Sequence, residues 1–435
     1  MLHLMKVGPC QQILRKTALL VSGCTRHVHC SKHFSTVFKR LDNTSLRYHS
    51  ASVYGGGILN KLRKVLSHKH FLRSVFTSQQ TGTPGPTQLT DKVFSAKTLI
   101  ETWYYEVCPY GEMNVTLPFK TFIKPHDQPG LNKVNIQFHY YSEGQEEAPE
   151  SQKLSHIGDL YDLDVRFDED KANMNITCDI TKGVTLPVVC LLRVPLQLDL
   201  KIKMLDDKDV SIENMDSSKI VIETERGNCF LKNIKCGSVS AVCRSGNITC
   251  LSTLLGNTYF HTGKSGSITT ERLQGSSITC ETEMGFINVR SLYADDATFR
   301  SDAGNFHLGH CHGQLYLLAG QSDINIESLD GDMDIGLQSG NVSAHLSRHQ
   351  KANIEVATGD ITLSFPEGAN TDLNLDCQAL RVDHAIDLHF SDSDLPHHKE
   401  GYIGRQGQAL LNARTVSGTI SLKQLDWISA TKLFS

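Results

Sequence analysis

Residues 264–292 read KSGSITTERLQGSSITCETEMGFINVRSL and say nearly the same thing twice. The run from Gly266 to Leu273 returns nineteen residues later as the run from Gly285 to Leu292. Taking as anchor the Gly, or its stand-in, before each apolar-x-apolar run gives Asp209, Gly227, Gly246, Gly266, Gly285, Gly304, Ser322, Gly340 and Gly359. The spacings are 18, 19, 20, 19, 19, 18, 18 and 19.

Each copy has two halves. The anchored half alternates and ends on an aliphatic residue, as in Ile268, Thr270, Leu273, in Ile287, Val289, Leu292 and in Ile324, Ile326, Leu329. The other half alternates too, as in Val239, Ala241, Cys243, in Leu315, Leu317, Ala319 and in Met333, Ile335, Leu337. Period-two alternation means strands with one dry and one wet face. The corner glycines are expected to supply the positive φ that turns the chain between strands.

A unit of this size cannot bury its own apolar face. Stacked on another at roughly 4.8 Å it can. The pattern therefore predicts an all-β fold, a right-handed parallel β-solenoid of about nine coils with a period of about 19 residues. The alternative is a β-propeller, since two periods approach the length of a four-stranded blade. A propeller should repeat more strongly over two periods than over one, and this chain does not.

Before the repeats, residues 91–195 form a non-repeating β region. It holds short alternating runs such as MNVTLPF and NKVNIQFHYY, and an acidic loop, SEGQEEAPESQK. Residues 196–365 are the repeats. Residues 366–428 form a C-terminal coil and cap, with one more Gly-x-Ile-x-Leu turn at Gly418.

Residues 1–90 hold 13 Lys and Arg against one acid, Asp42. Rich in Arg, Ser and His, they have the composition of a mitochondrial targeting segment with a linker, largely disordered, and the matrix is the expected location. A basic arm that binds something anionic is the other reading. The whole chain carries a net charge of −4, so the remainder is strongly acidic. That argues against a nucleic-acid partner, whose binding rests on Lys and Arg neutralising phosphates. No stretch is long and apolar enough to predict a transmembrane segment. The 13 cysteines include no C-x-x-C pair, and Cys229, Cys243 and Cys250 fall at inward strand positions. The sequons at Asn247 and Asn341 fall inside predicted strands.

The segments VPLQLDLKI and DVSIENM, the SGNI, SGSI and TGDI turns, TGDITLSFPEGANTDLNLD and the closing TVSGTISLK resemble the "putative adhesin" family over residues 190–425. The resemblance implies a β-solenoid of unknown molecular role, with no catalytic residues to carry over.

Two motifs invite a metal. In FHLGHCHG, His307, His310, Cys311 and His312 crowd together, but on a strand His310 and His312 share a face while Cys311 points away. In DGDMDIG, Asp330, Asp332 and Asp334 alternate like the start of a calcium loop, yet Gly336 comes one place late and Asn341 stands where the closing acid belongs. Ordinary corner residues and an outward acidic ladder are the plainer readings. No nucleophile elbow and no phosphate-binding glycine loop is present. The sequence thus points to a non-enzymatic scaffold or interaction module in mitochondria. It predicts no cofactor and a protein partner, a basic one by charge. The alternative is an enzyme with a groove between the N-terminal β region and the solenoid, acting on a glycan-like substrate.

Overall fold

Parallel pairing in steps of one coil organises the chain. The computed structural model describes residues 99–128, 130–140, 156–159, 161–169, 171–180, 187–391 and 397–425. The segment read as a targeting sequence lies outside them. On one face, Cys190, Thr121, Val210, Cys229, Ile248, Ile268, Ile287, Phe306, Ile324, Val342, Ile361, Ile420 and Leu380 pair in succession. On the other, the succession is Met174, Met113, Leu200, Ile220, Val239, Thr258, Ile278, Ala297, Leu315, Met333, Ala352, Leu411 and Leu373. Every one of these residues is buried except Leu380, which is partly so. The two faces enclose one continuous apolar core. The sheet is open, so the β-solenoid reading holds and the propeller is excluded.

The inward positions read from the alternation are buried: Ile287, Val289 and Leu292 at 1% exposure or less, and Leu315, Leu317 and Ala319 at 2% or less. Cys229, Cys243 and Cys250 also point into the core, and the described cysteines form no disulfide. Desolvation pushes the Cys250 thiol up to about 12 and Cys243 up to about 11, far from reactive thiolate behaviour.

The corner glycines are required for a different reason from the one expected. Only Gly340 and Gly359 among the anchors have positive φ, 128° and 140°. What all share is crowding. A Cβ on Gly246 would lie 2.0 Å from the Gly227 carbonyl oxygen, and one on Gly285 would lie 1.8 Å from that of Gly266. The same holds at Gly227, Gly266, Gly304, Gly340, Gly359 and Gly418. Gly227 stacks on the Lys208 carbonyl, so Lys208, not Asp209, stands at the corner and that step is nineteen residues as well. A second glycine column, including Gly256, Gly275, Gly313 and Gly331, lines the opposite corner, and three of these do have positive φ.

Both ends depart from sequence order. The strands Glu112–Leu117 and Lys120–Pro125 form a coil inserted between that of Asn173–Ile180 with Val188–Val194 and that of Asp199–Met204 with Val210–Glu213. The ladder therefore runs well upstream of the boundary read at residue 195. At the far end, Leu410–Ser417 and Thr419–Leu425 form a coil between Lys351–Pro366 and Thr371–Val382. The segment expected as a terminal cap is thus an internal layer of the rod. Antiparallel strands finish each end: Leu99–Glu106, Lys133–Tyr140 and Tyr161–Phe167 at one, His398–Ile403 and Leu388–Phe390 at the other. At the first end Phe119 packs edge-on against Tyr161 and Phe138, with ring centroids 4.6 and 5.7 Å apart.

Three substitutions check the register. Ile287→Asp places a charge at a fully buried position and should cost about 3–5 kcal/mol. Gly285→Ala must displace a backbone carbonyl and should cost about 1–3 kcal/mol. Asn288→Asp, half-exposed, should change stability by less than about 0.5 kcal/mol. Denaturant titration reads all three, and equal losses would refute the register.

Candidate functional site

The residue after each corner glycine is chosen for a backbone job. Asp209 Oδ1 accepts the Asn228 N–H at 2.8 Å, Asn228 Oδ1 that of Asn247 at 2.9 Å, and Asn247 Oδ1 that of Ser267 at 2.8 Å. The ladder resumes at Asn305, whose Oδ1 accepts from Asp323 at 3.0 Å. It continues through Asp323 to Asn341, Asn341 to Asp360 and Asp360 to Thr419. Coil-to-coil amides that the strands leave unpaired at the corner are satisfied this way. Inside the same corner, Thr224, Thr262 and Thr282 donate to the carbonyls of Gly227, Gly266 and Gly285. Asn247 and Asn341 therefore sit at corners rather than inside strands, and both side chains are engaged.

One coil breaks the ladder. Phe286 occupies the Asx position between Ser267 and Asn305, and its side chain is 51% exposed. Met284, two residues earlier, is 48% exposed. A row otherwise made of Asn, Asp and Ser thus carries one large apolar side chain, Phe286, with Met284 exposed beside it on the other side of the corner glycine.

Of the metal candidates, His312 and Asp330 come together across neighbouring coils, while Asp332 and Asp334 serve elsewhere. His312 lies flat against Tyr293, with ring centroids 4.7 Å apart, and its Nδ1 is 3.4 Å from Asp330 Oδ2. Asp330 also pairs with Arg348, which holds its carboxyl below the usual range. Asp332 Oδ1 accepts the N–H groups of Gln350 and Lys351 at 2.8 and 2.9 Å, another corner job. Asp334 points outward on the sheet, half-buried, and desolvation and Glu355 raise its pKa. His307 bonds Asn325 and Glu327, while Cys311 is buried, opposite to His310 and His312 as the alternation predicts. Among the described residues no group of His, Cys, Asp and Glu could hold a metal ion.

Two further features were not read from the sequence. An open groove of about 530 Å³ is lined by Gln274, Ser276, Tyr293, Asp295, His312 and the glycines between them. It lies where a three-residue step from Tyr293 to Asp296 faces a two-residue step from His312 to Gln314, a bulge in the ladder. The shortening of the repeat from 19 to 18 residues at this point was its sequence signal. Farther along the rod, Tyr259 donates to Glu281 Oε2 at 3.1 Å, and His261 Nδ1 lies 3.6 Å from the same oxygen. Glu281 raises the His261 pKa against the opposing effect of half-burial. His261 and then Tyr259 lower that of Glu281, and burial helps push Tyr259 up to about 12.

Residues 258–423 match the family model described as Toastrack DUF4097. Among solved structures, the chain is similar to a putative cell adhesion protein from Clostridium sporogenes, at 10% identity and a TM-score of 0.17. That match covers 75% of this chain and 99% of the other. It is also similar to a putative adhesin from Bacteroides fragilis, at 11% identity and a TM-score of 0.23, covering 76% and 98%. The Toastrack match supports the adhesin-like resemblance over those residues.

The His261–Glu281 pair makes a pH prediction. Because the folded His261 pKa is raised, its contribution is complete below the ordinary histidine pKa and is lost as pH rises through the raised value. The lowered Glu281 contributes above the ordinary carboxyl pKa and loses that contribution as pH falls through its folded value. NMR titration should find the His261 pKa above about 6.5, and Glu281→Gln should return it towards that value.

Proposed function

We propose that the protein is a non-enzymatic interaction module that works in mitochondria and presents its ladder surface to a basic protein partner. The observation that carries this reading is the break at Phe286. Along a corner where polar side chains bond one coil to the next, this coil gives up its acceptor and shows Met284 and Phe286 to solvent. A local rule broken without structural compensation marks a functional position. Exposed aromatic and Met side chains amid polar rows suit the centre of a protein contact.

The acidic balance of the body favours a basic partner by steering. The 13 Lys and Arg of residues 1–90 support import, and the Toastrack match and the adhesin-like resemblance fit an interaction role. The enzyme alternative placed a groove between the N-terminal β region and the solenoid. The strands Glu112–Leu117, Lys120–Pro125, Asn173–Ile180 and Val188–Val194 belong to the same stack as the repeats and share one core with them. The acidic loop of that N-terminal region, residues 141–155, lies outside the described residues.

Phe286→Asn supplies the missing acceptor to the next coil. It should raise the melting temperature by a few degrees, from about 1 kcal/mol of added hydrogen bonding, while partner recovery from mitochondria falls at least tenfold. Charge reversal belongs on Glu223 and Asp296, which face outward, rather than on Asp323 or Asp332, whose carboxylates hold corners. Glu223→Lys with Asp296→Lys should weaken recovery in a salt-dependent way. Undiminished recovery by both variants would sink the reading. A tagged full-length chain that stays in the cytosol at 48.3 kDa would sink the mitochondrial part.

A further inference from the structure

The coil of residues 410–425 occupies a slot. Its first strand has Lys351–Thr358 on one side and Thr371–Asp376 on the other, and its second has Ile361–Pro366 and Ala379–Val382. The pairings run Ala352–Leu411–Leu373, Ile354–Ala413–Leu375 and Ile361–Ile420–Leu380. The coil thus spans the same register on Lys351–Pro366 that it offers to Thr371–Val382. Without it, the two flanking coils meet in the same pleat phase, with Leu373 and Leu375 still facing inward beside Ala352 and Ile354. An empty slot therefore has a closed form that exposes no apolar face.

The coil is reached by a hinge. The preceding strand, His398–Ile403, pairs on the outer side of Thr371–Asp376, so residues 404–409 must cross that strand to enter the slot. The hinge is tied down by two short contacts: Asn370 Oδ1 accepts the Arg405 N–H at 2.7 Å, and the Asp372 carboxylate accepts the Gly407 N–H at 3.0 Å. Gly404 and Gly407 take positive φ, 67° and 87°, which the crossing demands and an extended hinge does not.

We infer that the slot is a strand-binding site whose ligand is the closing coil of either the same chain or a second copy, so that two copies exchange residues 410–425. The closed slot is the intermediate, and the hinge is the element that straightens. The ligand chemistry is stated by the coil itself: alternating apolar residues on both strands, with glycine at the corner. A Cβ at Gly418 would lie 2.0 Å from the Gly359 carbonyl oxygen, so a side chain at that corner must displace the backbone of the coil below. Exchange of an identical element between protomers is the low-cost route to such a dimer.

Two experiments on the full chain decide it. Asn353 and Asn374 both flank Asn412, one on each side. Filled, the slot holds them about 9.6 Å apart, at two strand spacings, too far for a disulfide. Closed, it makes them neighbours. Asn353→Cys with Asn374→Cys should form the linked peptide on mild oxidation well below the melting temperature, with residues 410–425 becoming protease-sensitive. Asn353→Cys with Asn412→Cys, neighbours in the filled slot, is the positive control. In the second experiment, residues 404–408 are deleted. The two remaining links reach about 7 Å against the 9.6 Å to be crossed, so a coil can fill a slot only in another chain. The expected product is a folded dimer of twice the chain mass, with the β signal of the parent. A deleted chain that is monomeric or unfolded, or an Asn353/Asn374 pair that never links while the control links fully, overturns the inference.

Discussion

The contact on which the rod depends is the approach of one corner glycine to the carbonyl of the corner below it. Strand spacing fixes the distance between coils at about 4.8 Å. At the corner the backbone turns inward, and the space left for a side chain vanishes, down to 1.8 Å at Gly285. Glycine there is less a flexible hinge than an absence of atoms. Once the corners nest, neighbouring strands can only pair in register. The alternation then delivers Ile268, Ile287 and Phe306 to one column inside the core. The Asn and Asp side chains that follow the glycines complete the joint by taking up the amide that the turn leaves over.

This explains which parts of the molecule the sequence discloses. The repeat interval, the inward residues and the corner glycines are local facts, and each is written once per coil. Cys229, Leu317 and Ile335 could be placed inside from their neighbours alone. The order of the layers is not local. The coil from 410 to 425 carries the same Gly-x-Ile-x-Leu phrase as the others, and nothing in that phrase says which two coils it lies between. The N-terminal coil is hidden for a related reason. Its strands, Glu112–Leu117 and Lys120–Pro125, are separated from their neighbours in the stack by an excursion through two antiparallel strands, so no nineteen-residue interval marks them.

The acidic motif shows a second limit. Asp330, Asp332 and Asp334 look alike in a row, yet one pairs with Arg348, one caps a corner and one lies half-buried on the sheet. Alternation tells that three side chains leave a strand on the same side. It does not tell that the strand begins between the first and the third, at Met333. Phe286 is the converse case. It is an ordinary aromatic in the string of letters, and its position becomes anomalous only beside the Asn and Asp that fill the same place in neighbouring coils.

The nesting of identical corners also bears on how such a chain can change over generations. A whole coil presents the same edge above and below, so gaining or losing one leaves every joint as it was and alters only length. A single inserted residue has no such neutrality, because it flips the pleat for the rest of that strand. The small drift between 18 and 20 residues is taken up at bulges in the ladder, and one such shortening, near Tyr293 and His312, leaves the groove behind it. Inheritance in this fold is therefore counted in coils, and departures from that count leave a scar where the surface can acquire something new.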